Sequence, residues 1–264
     1  IYEASFQYDD VWVILDILVK EDTGWKAYEV KSSSALSDTY MQDAALQHYV
    51  VNSALPQISN EQLKGFALIY VNKNYVLQGS FDIRKYFLVS EIKNWCEEQT
   101  EFVKGKVLKA KLTLDYGKIP AINTGEHCFN PYPCDFMGTC FKANRQEKTI
   151  SANSTEINSL FNSHLDKLYV LEFFYSRPAV PLYNGTVPYQ YIIFLSGLTT
   201  ITNDEANDAY FVISDTNANP TPAFIKHLLS ITASPGIILV DDYENKCRAF
   251  ANSAEHFPEF AASI

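Results

Sequence analysis

Four residues near the start of the chain, Asp16, Glu29, Lys31 and Gln47, have the types and spacing of a hydrolytic metal site. Asp16 interrupts the apolar run Val11–Val19, where a carboxylate is costly unless something uses it. Hydrolysing a phosphodiester requires neutralised phosphate charge and an activated water. A hard divalent cation such as Mg²⁺ or Mn²⁺ supplies both and prefers carboxylate oxygens. Asp16 and Glu29 offer two such ligands, and the backbone carbonyl of Val30 is the expected third. Glu29 and Lys31 are two apart, so on a strand they share a face. Lys31 is then placed to hold the attacking water or to offset charge in the transition state. Gln47, in the helical pattern Asp43–Tyr49, would orient the lysine, the water or a base. The competing reading of the same residues is a buried Glu29–Lys31 ion pair with a lone Asp16 at a strand edge. Glu-x-Lys alone is common, and the order Asp, Glu-x-Lys, helix with Gln carries the specificity.

A second group is Cys128, Cys134 and Cys140, preceded by His127 and separated by two gaps of five residues. Thiolates suit zinc or an iron–sulfur cluster, which usually takes four ligands, so a fourth must come from elsewhere. Cys96 and His127 are candidates. Five cysteines in a chain this long make a poor disulfide framework, which points to a reducing, cytoplasmic setting. Cys96 and Cys247 have no close partner in sequence and read as ordinary buried residues.

The elements that must position these residues follow from pattern. Residues 1–8 and 11–20 read as strands around a turn at Asp9-Asp10, and 25–31 as a third strand. Ser37 or Asp38 caps a helix running to about Asn52. Residues 65–71 suit a buried strand, with Tyr75 to Leu77 as a possible partner, and 88–110 read as helical. The order predicts an α/β core with a mixed sheet over residues 1–111. From 112 to 162, Gly, Pro, Asn and Cys dominate, which predicts a metal-stapled region and a linker. A second α/β unit spans 163–264. Strands are expected at 168–174, 189–198, 209–213 and 236–240, and helices at 220–231 and from Glu244 onward.

At 264 residues and 47% hydrophobic, the chain can bury a core and is not disordered. No apolar run reaches the eighteen residues of a membrane span, and the first residues lack the pattern of a signal peptide. A chain opening on Ile1 rather than Met reads as a fragment of something longer. The net charge of −10 argues against nucleic-acid binding by bulk electrostatics, though not against a local basic groove. The candidate groove is Lys104–Lys111 with Lys118, and its plainer reading is a solvated helix face.

The segments Glu3–Phe6, Asp16–Leu18, Trp25, Glu29–Ser33 and Asp43–Gln47 together resemble the RecB-like branch of the PD-(D/E)XK nucleases. The likeness is to a bacterial family of unknown function related to CRISPR-associated RecB-like nucleases. Tyr75–Gly79 and Phe81–Phe87 also look like that family. The resemblance implies a restriction-endonuclease-like core in which Asp16 and Glu29 bind metal, Lys31 is catalytic and Gln47 is the helix motif residue. Glu3 matches too, with a structural role as the expectation. It also implies that the three cysteines belong to a [4Fe–4S] site whose fourth cysteine lies upstream of the first strand. In the second half, Leu171–Pro181 and Tyr183–Gln190 resemble an RNase H-like exonuclease domain with a DEDD set of acids. Its Asp-Phe-Glu strand motif reads Glu172-Phe173-Phe174 here, and its later aromatic–acid pair matches Tyr243-Glu244. Phe174 in place of an acid implies a degenerate, partial domain without activity of its own. The expected function is a metal-dependent nuclease acting on single- or double-stranded DNA, with no membrane association. The alternatives are an inactive nucleic-acid-binding protein of nuclease descent and a structural module.

Overall fold

The computed structural model describes residues 1–118, 122–141, 167–202, 205–213, 217–234 and 236–263. The chain is mixed α/β and divides into two compact units. The first unit holds residues 1–72 and 83–149, and the second holds 73–82 and 150–264.

The first unit opens with three antiparallel strands, β1 (Tyr2–Tyr8), β2 (Val11–Glu21) and β3 (Gly24–Lys31). The β1–β2 turn places Asp9 and Asp10 at φ 53° and 59°, left-handed backbone that Asp tolerates because its short side chain can bond locally. Gly24 has φ +150°, and a Cβ there would stand 2.6 Å from the Gln62 carbonyl oxygen, so only glycine fits. A long helix follows, α1 (Asp38–Ser59). Ser37 caps it by accepting from the Tyr40 N–H at 3.3 Å, and Asn60 ends it in left-handed backbone at φ 57°. The helix outruns the predicted end near Asn52 because Ala54 and Leu55 are buried and continue its packing face. It also carries β4 (Leu63–Val71) into parallel pairing with β3, a geometry that requires such a crossover. The sheet order is β1-β2-β3-β4-β5, and β5 (Phe87–Glu91) pairs antiparallel with β4. The core lies between the sheet and α1, with Leu15, Ala27, Val50 and Phe66 fully buried.

Two expectations for this unit are corrected. Tyr75 to Leu77 do not pair with β4, whose free edge is taken by β5. The Leu77 backbone instead bonds Thr186 and Gly185, within the second unit. The predicted 1–111 domain therefore contains a ten-residue excursion into the other unit. The 88–110 helical reading becomes β5 followed by α2 (Lys93–Glu98) and α3 (Thr100–Asp115), with a one-turn helix at Ile83–Tyr86 before the strand.

In the second unit, β6 (Leu168–Ser176), β7 (Ile192–Thr202) and β8 (Glu205–Val212) form an antiparallel meander. A short β9 (Ile237–Leu239) runs parallel to β6, giving the order β8-β7-β6-β9. Helix α4 (Thr221–Ile231) makes the crossover between β8 and β9, and α5 (Tyr243–His256) follows. Tyr169, Leu171 and Phe173 alternate along β6 and pack with Phe224, Ile225 and Ala249 of the helices. Every predicted element of this half is present, with ends shifted by a few residues. The linker reading on residues 142–162 lies outside the described residues.

No helix among the described residues is long and apolar enough to cross a membrane.

Candidate active site

The first unit brings Asp16, Glu29, Lys31 and Gln47 together. The β2–β3 ladder pairs Ile17 with Tyr28, and one step further the register sets Asp16 beside Glu29. There the ladder gives way: the Val30 N–H donates to the Asp16 carboxylate at 2.6 Å. The Val30 amide thus ties β3 to Asp16. Alternation along β2 also breaks at this point, since Val13 and Leu15 are buried and the next buried residue is Leu18. Across the strand pair Glu3 holds a positive φ of 53°. A bend in the strand is therefore centred on Asp16, next to the acid of β3.

Glu29 is 7% exposed. Its Oε1 accepts from the Lys31 ammonium at 2.8 Å, while Oε2 is buried with no hydrogen-bond partner among the described residues. Burial pushes the Glu29 carboxyl above the usual range, and Asp16 adds to this by repulsion. Lys31 and the neighbouring Gln47 amide pull the other way without cancelling it. Gln47 is buried, and its Oε1 also has no partner among the described residues. An unpartnered buried acceptor is expensive, and this site has two among the described residues. Together with the Asp16 carboxylate they offer the oxygen donors that a hard dication takes, and Mg²⁺ is commonly held through only one or two carboxylates. Among the described residues no group of three His, Cys, Asp or Glu side chains is placed to hold a metal ion, so a dication here would rest on the two carboxylates with Gln47 and water.

Lys31 bridges two acids, Glu29 and, at 2.6 Å, Asp43 of α1. Burial alone would lower its pKa, but the bonds to Asp43 and Glu29 outweigh burial and hold the ammonium above its ordinary value. The Tyr40 ring lies 5.6 Å from the ammonium nitrogen. Tyr40, Asp43 and Gln47 follow the i, i+3, i+7 spacing that puts side chains on one helical face, and that face meets β3. Sequence reasoning took Asp43 only as part of a helical pattern. The signal that could have found it was this spacing back from Gln47. His48, beside Gln47, was also passed over: it is buried, both ring nitrogens lack partners among the described residues, and burial lowers its pKa to about 4.

Cys128 and Cys134 meet along the backbone, where the Cys134 N–H donates to the Cys128 carbonyl at 2.8 Å. All five cysteines are free. Cys128 is buried, Cys134 and Cys140 are exposed, and Cys96 belongs to the hydrophobic core, which raises its thiol to about 12. Among the described residues no three His, Cys, Asp or Glu side chains, His127 included, are placed to hold a metal ion. Cys128, Cys134 and Cys140 by themselves do not make the four-ligand set that zinc or an iron–sulfur cluster takes. The basic helix is partly spent on internal pairs: Lys104 bonds Glu101 at 2.7 Å, and Lys111 bonds Asp9 at 2.6 Å and Asp10 at 3.0 Å.

In the second unit Glu172 is exposed on β6, across from Gly197. Glu244 is exposed in the first turn of α5, 3.7 Å from Arg248, an ordinary pair along a helix surface. Phe174 is exposed on the same face as Glu172. The buried charge here is Lys246, which sequence reasoning missed. Its ammonium donates to the Phe173 carbonyl, lies 4.2 Å from the Phe173 ring centre and 3.5 Å from the Asp241 carboxylate. Residues 169–264 match a domain of unknown function, DUF2779. The DUF2779 segment thus begins inside β6 and takes in both helices of the second unit. No curated protein and no solved structure matches the chain.

Proposed function

We propose that the first unit is a PD-(D/E)XK-type nuclease core that hydrolyses DNA phosphodiester bonds with Mg²⁺ or Mn²⁺. The observation that carries the reading is Glu29 Oε2, a buried carboxylate oxygen without a hydrogen-bond partner among the described residues, on an acid that Asp16 repels and Lys31 bonds. A purely structural ion pair would satisfy both oxygens. The strand order, with an acid on β2, Glu-x-Lys on β3 and Gln on the crossover helix, supports the same reading.

Asp16 and Glu29 would hold the cation, which when bound neutralises the phosphate and lowers the pKa of a bound water. Lys31, kept protonated by its two acids, acts as a fixed positive charge that can steady the water or the developing phosphorane. The Gln47 amide orients Glu29 from the α1 side. The second unit is read as an RNase H-like domain without activity of its own. An antiparallel meander extended by a parallel strand reached through a helix supports that fold. Phe174, the surface pairing of Glu244 and the lysine at Phe173 speak against a metal site there. A cytoplasmic setting belongs to the same reading.

The test is cleavage of single- and double-stranded DNA with Mg²⁺ or Mn²⁺ by the wild type, Lys31→Ala and Glu29→Gln, with folding followed by circular dichroism. Glu29→Gln is the cleaner variant, because Lys31→Ala strips Glu29 of its ammonium partner and costs stability. Metal-dependent cutting lost in folded Glu29→Gln is the expected result. A folded wild type that binds Mn²⁺ and leaves DNA intact would make the protein a nucleic-acid binder instead.

A further inference from the structure

Lys31 is held from two elements, and the two holds are not equivalent. Glu29 lies two residues away on the same strand, and in the reading above its carboxylate also serves the cation. Asp43 reaches Lys31 from α1 at 2.6 Å, against 2.8 Å for Glu29, and is half-exposed. An ammonium has three N–H donors. Two are taken by Glu29 and Asp43, which leaves one for a water or a phosphate oxygen.

A dication on Glu29 draws off the negative charge that Lys31 shares and adds repulsion across a few ångströms. The Glu29 hold must weaken just when the lysine is needed. A long, flexible lysine released from one side would swing towards solvent unless the other hold persists. Asp43 is the group placed to persist, because it approaches from the helix. The Tyr40 ring, one turn earlier on the same helical face, limits where the ammonium can go.

We propose that Asp43 is the positioning residue that keeps Lys31 in the site once Glu29 is committed to the divalent cation. Asp43 acts through Lys31 and touches neither cation nor substrate. The proposal rests on the cation reading of Glu29 and adds a residue to it. Misplacing a catalytic group through loss of a residue that positions it costs up to about 100-fold in activity.

The experiment compares wild type, Asp43→Asn, Asp43→Glu, Lys31→Ala and the Lys31→Ala/Asp43→Asn double variant. Each is assayed for kcat and KM on DNA, for Mn²⁺ affinity by calorimetry, and for Lys31 labelling by an amine reagent with and without Mn²⁺, read by mass spectrometry. Asp43→Asn should lower kcat by up to about 100-fold with KM and Mn²⁺ affinity within about twofold. Asp43→Glu should recover part of the loss, and Asp43→Asn should cost nothing further in the Lys31→Ala background. Lys31 labelling should rise severalfold in Asp43→Asn with Mn²⁺ present and change little without it, since Glu29 then still holds the lysine. Equal labelling of wild type and Asp43→Asn in Mn²⁺ overturns the proposal, as does an undiminished loss from Asp43→Asn in the Lys31→Ala background. A wild type that does not cleave, yet shows the Mn²⁺-dependent labelling difference, overturns the nuclease reading and keeps the role of Asp43.

Discussion

Lys31 in the first unit is half-buried and Lys246 in the second is buried, and the company they keep differs. Lys31 sits between the carboxylates of Glu29 and Asp43, and a third acid, Asp16, repels Glu29. Lys246 sits under an aromatic ring and is bonded to a backbone carbonyl, with the exposed Asp241 as a loose partner. Around Lys31 there is more acceptor than donor, and buried oxygens of Glu29 and Gln47 are left over. Around Lys246 no buried side-chain acceptor is left over among the described residues. A surplus of buried acceptors is costly by itself. A lysine that closes its own accounts holds two elements together. The first arrangement is suited to chemistry, and the second ties α5 to the central strand.

The sharpest way to break this comparison is Glu29→Gln. We expect at least about a 100-fold loss of metal-dependent cleavage, as for removal of one directly charge-stabilising group, with the circular dichroism spectrum kept. A variant that cuts like the wild type would reduce Glu29 to a structural acid. The pH dependence of stability comes next. His48 is buried and neutral, with its pKa held near 4 by burial, while the unfolded chain takes a proton at about 6.5. Glu97 and Lys93 face it with opposite effects. The folded protein refuses a proton that the unfolded chain accepts, so this contribution is whole above about 6.5 and is lost as the pH falls towards about 4. At 1.36 kcal/mol for each factor of ten, it amounts to about 3 kcal/mol. Urea unfolding between pH 7 and pH 4 should show that loss, and His48→Leu should flatten it. A wild-type slope unchanged in His48→Leu would place the acid sensitivity elsewhere.

Lys246→Met keeps the apolar stem but leaves the Phe173 carbonyl buried without its donor. The expected cost is about 1–3 kcal/mol, read as an earlier unfolding transition of the second unit, with cleavage at the wild-type rate. A loss of cleavage without loss of stability would give Lys246 a catalytic role and dissolve the contrast with Lys31. The smallest effect is expected from Lys111→Ala, which removes exposed pairs to Asp9 and Asp10. The melting temperature should barely move, and any shift should vanish in high salt. A large, salt-insensitive drop would show that the β1–β2 turn depends on that lysine.

Patterns with a short range in the chain were legible. The three opening strands announce themselves by alternation and turns, α1 by its Ser37 cap, and the meander of the second unit by Leu171-Glu-Phe173 alternation on β6. The β5 strand was read as helix because Phe87–Glu91 is a short, half-exposed edge segment, and such runs show neither period clearly. Tyr75 and Leu77 were given to the wrong sheet because apolar character says that a residue is buried, and not against what. The spacing of Cys128, Cys134 and Cys140 says that the three are close in the chain, and only the structure shows that Cys128 is buried while Cys134 and Cys140 are exposed.

The sequence by itself determined which groups could do chemistry and on which elements they ride. Residue type and a period of two or of 3.6 are local properties, so Asp16, Glu29, Lys31 and Gln47 could be nominated without coordinates. Only the tertiary structure decided what each group faces. The register of β2 against β3 sets Asp16 beside Glu29, and the angle of α1 over β3 gives Lys31 a second acid in Asp43. Packing alone leaves Glu29 Oε2 buried without a hydrogen-bond partner among the described residues. Hydrogen-bond satisfaction and desolvation depend on every neighbour in space, and the neighbours that matter here lie 12 to 31 positions apart in the chain, between Lys31 and Asp43 and between Asp16 and Gln47.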